Sequence, residues 1–99
     1  MAPSYRVVVT SLARAQLLAL GKFSLYAAGR DEITQTLRLV SRELSRDPRS
    51  AGNPMYHLRV TKLEVRNLIH ASLYIEYGVY EPESLVIIRS VTSFRGQVE

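Results

Sequence analysis

The stretch "NLIHASLYIEYGVYEPESLVIIRSV", Asn67 to Val91, decides the fold of this 99-residue chain. Its first part, to Tyr80, alternates with a period of two. Ile69, Ala71, Leu73, Ile75, Tyr77 and Val79 share one parity; Leu68, His70, Ser72, Tyr74 and Glu76 share the other. That pattern predicts a strand with one buried and one more polar face, as in an antiparallel sheet. Glu81 to Ser84 contains a proline and reads as a turn, after which Leu85 to Val91 returns as a second strand. Alternation places Leu73, Ile75, Leu85 and Ile87 in the core. Arg89 has the same parity as Leu85 and Ile87, so either its stem snorkels out at the strand end or a bulge reverses the face.

Upstream the pattern changes. "YRVVVT" (Tyr5 to Thr10) is rich in β-branched residues and reads as a strand. Thr10 or Ser11 then stands where a helix N-cap belongs. An Ala/Leu-rich run follows, helical, broken near Gly21 and ending at Gly29. Asp31 is a fitting N-cap for a second helix, in which Ile33, Leu37, Val40 and Leu44 form one apolar stripe. Arg38, Arg42 and Arg46 form a cationic row along the same helix, suited to an acidic segment or to phosphates. Asp47-Pro48 stops it, because the residue before proline avoids helical geometry. "DPRSAGNP" reads as a loop, and "MYHLRVTKLEV" holds one short strand. The order is strand, helix, helix and a closing meander. This is an α+β fold in one domain over residues 1–99, with two helices on one face of a C-terminal antiparallel sheet.

Composition narrows the function. Without cysteine there is no disulfide frame, thiolate metal site or cysteine nucleophile, which fits a reducing cytoplasm. The N-terminus lacks a basic start followed by a long apolar run, and no stretch is long enough to span a membrane. The two histidines lack metal-ligand spacing, and no metal or other cofactor is expected. Residues 1–66 hold eleven of the thirteen Lys/Arg and five of the nine acids, giving +6 against −2 for the remainder. Such a half suggests an anionic partner, nucleic acid or acidic protein. Arg59, Lys62 and Arg66 are candidate phosphate contacts. His70 and Glu76, with Tyr74 between them, are candidates for acid–base chemistry on one face of the long strand.

Three stretches together resemble the RelE/ParE family of bacterial toxins. "YRVVVTSLARAQLLAL" is similar to that family's opening strand and first helix, "SLYIEYGVYEPESLVIIRSV" to its closing hairpin, and "RSVTSFRG" to its arginine-containing ending. The resemblance implies the toxin of a type II toxin–antitoxin system, which inhibits growth, serves plasmid stabilisation and is neutralised by a cognate antitoxin. It leaves the target open: messenger RNA on the ribosome, cut by RelE-like members; DNA gyrase, blocked without chemistry by ParE-like members; or no target, in a degenerate member that retains antitoxin binding. In the nuclease reading Arg95 matches the terminal arginine and stabilises the developing phosphate charge, with Arg66 and Lys62 positioning RNA. The family's other strand cations fall at Asn67, Ile69 and Tyr74, and its frequent histidine at Thr92. Target or antitoxin binding is expected at Arg59, Leu68, His70, Tyr74, Glu76 and Arg89, the antitoxin's C-terminal segment covering the open sheet face near Leu68, Tyr74 and Arg89.

Overall fold

The computed structural model describes residues 4–23, 27–70 and 73–93, the side chains at 21–33 and 93 excepted. In chain order the elements are β1 (Arg6–Val9), α1 (Ser11–Phe23), α2 (Ala27–Arg46), α3 (Pro48–Ala51), β2 (Asn53–Leu58), β3 (Leu63–His70), β4 (Leu73–Tyr80) and β5 (Leu85–Ser93), with a 3-10 turn at Glu81–Glu83 before β5. The five strands form one sheet in the order β1-β5-β4-β3-β2. β2 to β5 are antiparallel, as expected; β1 pairs with β5 in parallel. A parallel pair needs a crossover, and α1 to β4 supply it.

Both long helices cover the same face. Ala13 of α1 and Val40 and Leu44 of α2 join Leu68, Leu73, Ile75, Tyr77, Val79, Val86, Ile88 and Val91 in one buried cluster. Thr10 caps α1: its hydroxyl accepts from the Ala13 N–H at 3.1 Å and donates to the Arg89 carbonyl at 3.1 Å. α2 starts at Ala27, ahead of the expected cap at Asp31, and runs through Gly29. The cost of one helical glycine, about 1 kcal/mol, is small beside an apolar stripe packed on a sheet. "DPRSAGNP" is not all loop, because Pro48 opens the single turn of α3 under an Asp47 cap.

Three expectations about the strands are corrected. First, "NLIHASLYIEYGVY" is two strands. His70 pairs with Leu73 in an antiparallel ladder, so the chain reverses between them. Paired residues share a face, and a two-residue connection therefore swaps parity. Leu68 and His70 lie on the helix-covered inner face with Ile75 and Leu73, while Ile69 turns outward and is exposed. They do not share a face with Tyr74 and Glu76. Second, the core residues of β5 are Val86, Ile88 and Val91; Leu85 and Ile87 are half-buried on the outer face. Every position of that run is apolar, so composition carries no period, and pairing with β4 and β1 sets the register. Third, "MYHLRVTKLEV" holds the end of β2, a turn at 59–62 and the start of β3.

The bulge considered for Arg89 is present. Tyr77 pairs with Ile88 and Glu76 with Ser90, so Arg89 is the extra residue. The bulge returns Val91 to the core after Arg89 and keeps both Arg89 and Ser90 outside. β1 ends before this point. The Val91 N–H, left without a ladder partner there, donates to Gln16 Oε1 of α1 at 2.7 Å.

Gly52, just after α3, sits where no side chain fits. A Cβ there would collide with the Asn67 carbonyl oxygen and lie 2.7 Å from the Tyr77 hydroxyl. Because the first obstacle is backbone of β3, it cannot swing aside. Gly52→Ala is expected to destabilise the protein by about 3 kcal/mol, the upper end for overpacking, read as a lower urea midpoint with unchanged slope.

Candidate functional site

Two polar clusters form on opposite faces of the sheet. The inner one surrounds Arg66. This side chain of β3 is buried, and its guanidinium donates from Nη2 to the carbonyls of Arg49 at 2.6 Å and Gly52 at 2.8 Å. Nη1 donates to Glu64 Oε1 at 2.7 Å. The fully buried Tyr77 hydroxyl donates to the Pro48 carbonyl at 2.5 Å. Together these satisfy the carbonyls of Pro48, Arg49 and Gly52, in and just after the α3 turn, which a helix this short leaves without internal partners. The network continues outward. Glu64 also meets His57 Nε2 at 3.1 Å and Arg49 at 3.9 Å; Arg49 meets Glu81 at 3.8 Å, and Glu81 accepts from the Tyr5 hydroxyl at 2.6 Å.

Electrostatics follow from this packing. Burial works to raise the Glu64 pKa, but the hydrogen bond from Arg66 and the charges of Arg66, Arg49 and His57 outweigh it and hold the carboxyl below its ordinary value. Burial likewise opposes the charge on Arg66, and Glu64 and the Tyr77 hydroxyl more than restore it.

The outer cluster draws on β2, β4 and β5. Arg89 Nη1 lies 3.2 Å from the Tyr56 hydroxyl and 3.5 Å from Glu76 Oε1. The Tyr56 hydroxyl also donates to Glu76 at 3.5 Å, and the Tyr74 hydroxyl lies 3.9 Å from Met55 Sδ. β2 and β5 are three strand spacings apart, about 14 Å. Tyr56 and Arg89 meet only because each lies across the sheet instead of standing up from it.

The structure thus gathers Tyr74, Glu76 and Arg89 and separates the other candidates. Arg66 is a buried clamp on the inner face. Lys62 is exposed in the turn between β2 and β3 at φ 56°, beside exposed Arg59. Four strand residues from Arg66, at about 3.4 Å each, Lys62 cannot share one phosphate with it. Leu68 is core, His70 is exposed at the end of the inner face, and Arg95 lies outside the described residues. Sequence reading missed Tyr56 and Met55 as partners, since only the β2 register brings them to Tyr74 and Glu76.

A groove of about 630 Å³ runs between β1 and α2, lined by Tyr5, Val7, Leu37, Arg38, Arg42 and neighbouring Thr34, Ser41 and Ser45. Arg38 and Arg42 are exposed at its rim, and Arg46 turns to Glu43 instead. β1 is an edge strand. The Arg6 N–H bonds to the Ser84 carbonyl just before β5 and the Thr10 N–H to the Ile88 carbonyl of β5, so the peptide groups of Val7 and Val9 between them face away from the sheet at its free edge.

No family model matches the sequence, and no curated protein matches it. Solved structures do. A chain of the RelBE2 toxin–antitoxin complex from Mycobacterium tuberculosis superposes with a TM-score of 0.71 at 18% identity, covering 94% of each chain. The chromosomal ParDE system of P. aeruginosa gives 0.63 at 14% identity, over 91% of this chain and 96% of that one. The archaeal RelE–RelB complex of Pyrococcus horikoshii gives 0.60 at 14%, over 96% and 99%. The chain has the RelE/ParE toxin fold.

Arg66→Ala is expected to cost about 3–5 kcal/mol, because it strands Glu64 and two carbonyls; chemical denaturation measures it. Glu64 has a depressed folded-state pKa. Its contribution is therefore complete above the unfolded value, roughly 4.3, and fades as pH falls through the lower folded value. Glu64→Gln should flatten this part of the acid limb in a pH series of unfolding midpoints.

Proposed function

We propose that this chain is the toxin of a type II toxin–antitoxin pair and arrests growth by gripping a protein target. The observation that carries this reading is the fate of Arg66. Phosphate chemistry needs free cations converging on one point. Arg66, expected to position RNA, is buried with its Nη donors committed to carbonyls and a carboxylate, and Lys62, the other expected positioning cation, is a separate exposed residue. The outer face instead offers tyrosines, a methionine and a paired arginine, a composition enriched in protein interfaces. On this reading the target is the one implied for ParE-like members of the family, DNA gyrase. The partner that silences the toxin is an antitoxin segment with acidic side chains, lying along β1 and α2. There the Val7 and Val9 peptide groups supply ladder bonds, Tyr5 and Leu37 an apolar floor, and Arg38 and Arg42 the charge. Both events belong to the cytoplasm.

The test expresses the chain with and without its neighbouring gene product. Growth should stop without the neighbour, purified protein should inhibit gyrase supercoiling, and transcripts should remain uncut. Transcript cleavage on ribosomes would overturn the protein-target reading. The double change Arg38→Glu, Arg42→Glu should weaken antitoxin binding by about tenfold or more, chiefly through slower association, while leaving toxicity intact. Unchanged antitoxin affinity would remove the groove from the interface.

A further inference from the structure

The outer cluster contains the parts of a nucleic-acid platform and one part that opposes it. Tyr56 and Tyr74 are aromatic, Arg89 is cationic, and all three are partly open to solvent. Tyrosines beside an arginine would stack bases and meet phosphate. Glu76 stands among them. Its carboxylate meets the Arg89 guanidinium at 3.5 Å and accepts from Tyr56, which in turn accepts from Arg89 at 3.2 Å. The pair is about three-quarters covered at Glu76 and two-thirds at Arg89, with side-chain exposures of 23% and 34%, so it is screened less than a free surface pair. Held flat across β4, Arg89 keeps its charge within reach of Glu76 and away from an approaching strand of phosphates.

Resting on the protein-target reading above, we infer that Glu76 is a specificity determinant: it neutralises Arg89 and so turns polyanions away from this face, reserving it for protein. A basic chain of net +4 in a cell full of RNA needs such a device, because its general charge attracts nucleic acid regardless of sequence. The β5 bulge leaves Arg89 as the unpaired residue beside the Glu76–Ser90 pair and keeps it on the outer face with Glu76.

The probe is a fluorescently labelled single-stranded RNA oligonucleotide, titrated at several salt concentrations with the full chain. Glu76→Gln keeps the side-chain shape and an acceptor for Tyr56 but frees Arg89. It should tighten RNA binding about tenfold at low salt and steepen the slope of log K against log salt by about 0.7, one added phosphate contact on a single strand. Adding Arg89→Gln should abolish the gain. Glu43→Gln on α2 removes the same charge far from this face and should change binding less than twofold. A Glu43→Gln effect as large as that of Glu76→Gln would reduce the observation to net charge and overturn the inference. So would a gain that survives Arg89→Gln, or no gain at all. Transcript cleavage by the unmodified protein is a separate result, which would sink the protein-target reading itself.

Discussion

The buried guanidinium of Arg66 is the interaction on which the arrangement of this protein turns. Taking a charge out of water is costly, and well-placed partners must offset the cost; the two Nη groups have them, while the buried Nε has no hydrogen-bond partner among the described residues. Here the partners are Glu64 and the carbonyls of Arg49 and Gly52, with the Tyr77 hydroxyl closing on Pro48 alongside. These bonds fasten α3 against the sheet. α3 leads directly into β2, so the clamp also sets where the outermost strand begins and hence where Tyr56 falls. A residue of the inner face thereby controls the composition of the outer one.

The sheet's two faces are kept distinct by small departures from regularity. The reversal between His70 and Leu73 swaps parity between β3 and β4, and the bulge at Arg89 swaps it within β5, from Val86 and Ile88 to Val91. Without the bulge, Ser90 would turn to the core and Val91 to solvent. The side chains of Thr10, the cap of α1, and of Gln16 in α1 take up the Arg89 carbonyl and the Val91 N–H. The helix is thus a hydrogen-bonding partner of the irregular strand as well as its hydrophobic cover.

Charge is distributed with similar economy. The network Tyr5–Glu81–Arg49–Glu64–Arg66 links β1 to β3 through residues far apart in sequence. It absorbs cations that would otherwise extend the basic surface. Arg38 and Arg42 remain exposed at the groove beside β1, and Arg59 and Lys62 at the β2–β3 turn, two separate cationic pairs. Each lies at one edge of the sheet, where unpaired backbone already invites another chain.

Residue type alone determined much of this molecule. The β-branched run at Tyr5 to Thr10, the apolar stripe of α2, the Asp-Pro stop and the turn at Glu81 to Ser84 are local signals, and each marks its element. The threonine cap of α1 and the face carrying Leu73, Ile75, Tyr77 and Val79 were legible for the same reason: a short-range pattern selects the conformation. What lay beyond it was register. In Leu85 to Ile88 every residue is apolar, and from Asn67 to Tyr80 a two-residue reversal looks like unbroken alternation. Only the pairing of strands told Val86 from Ile87 and Leu68 from Ile69. The candidate site went the same way. Arg66 read as a phosphate contact because arginines are usually exposed, and only the carbonyls of α3, fourteen or more residues away in sequence, made it a clamp. Long-range contacts carry no local periodicity, so burial and partnership were decided by the tertiary structure.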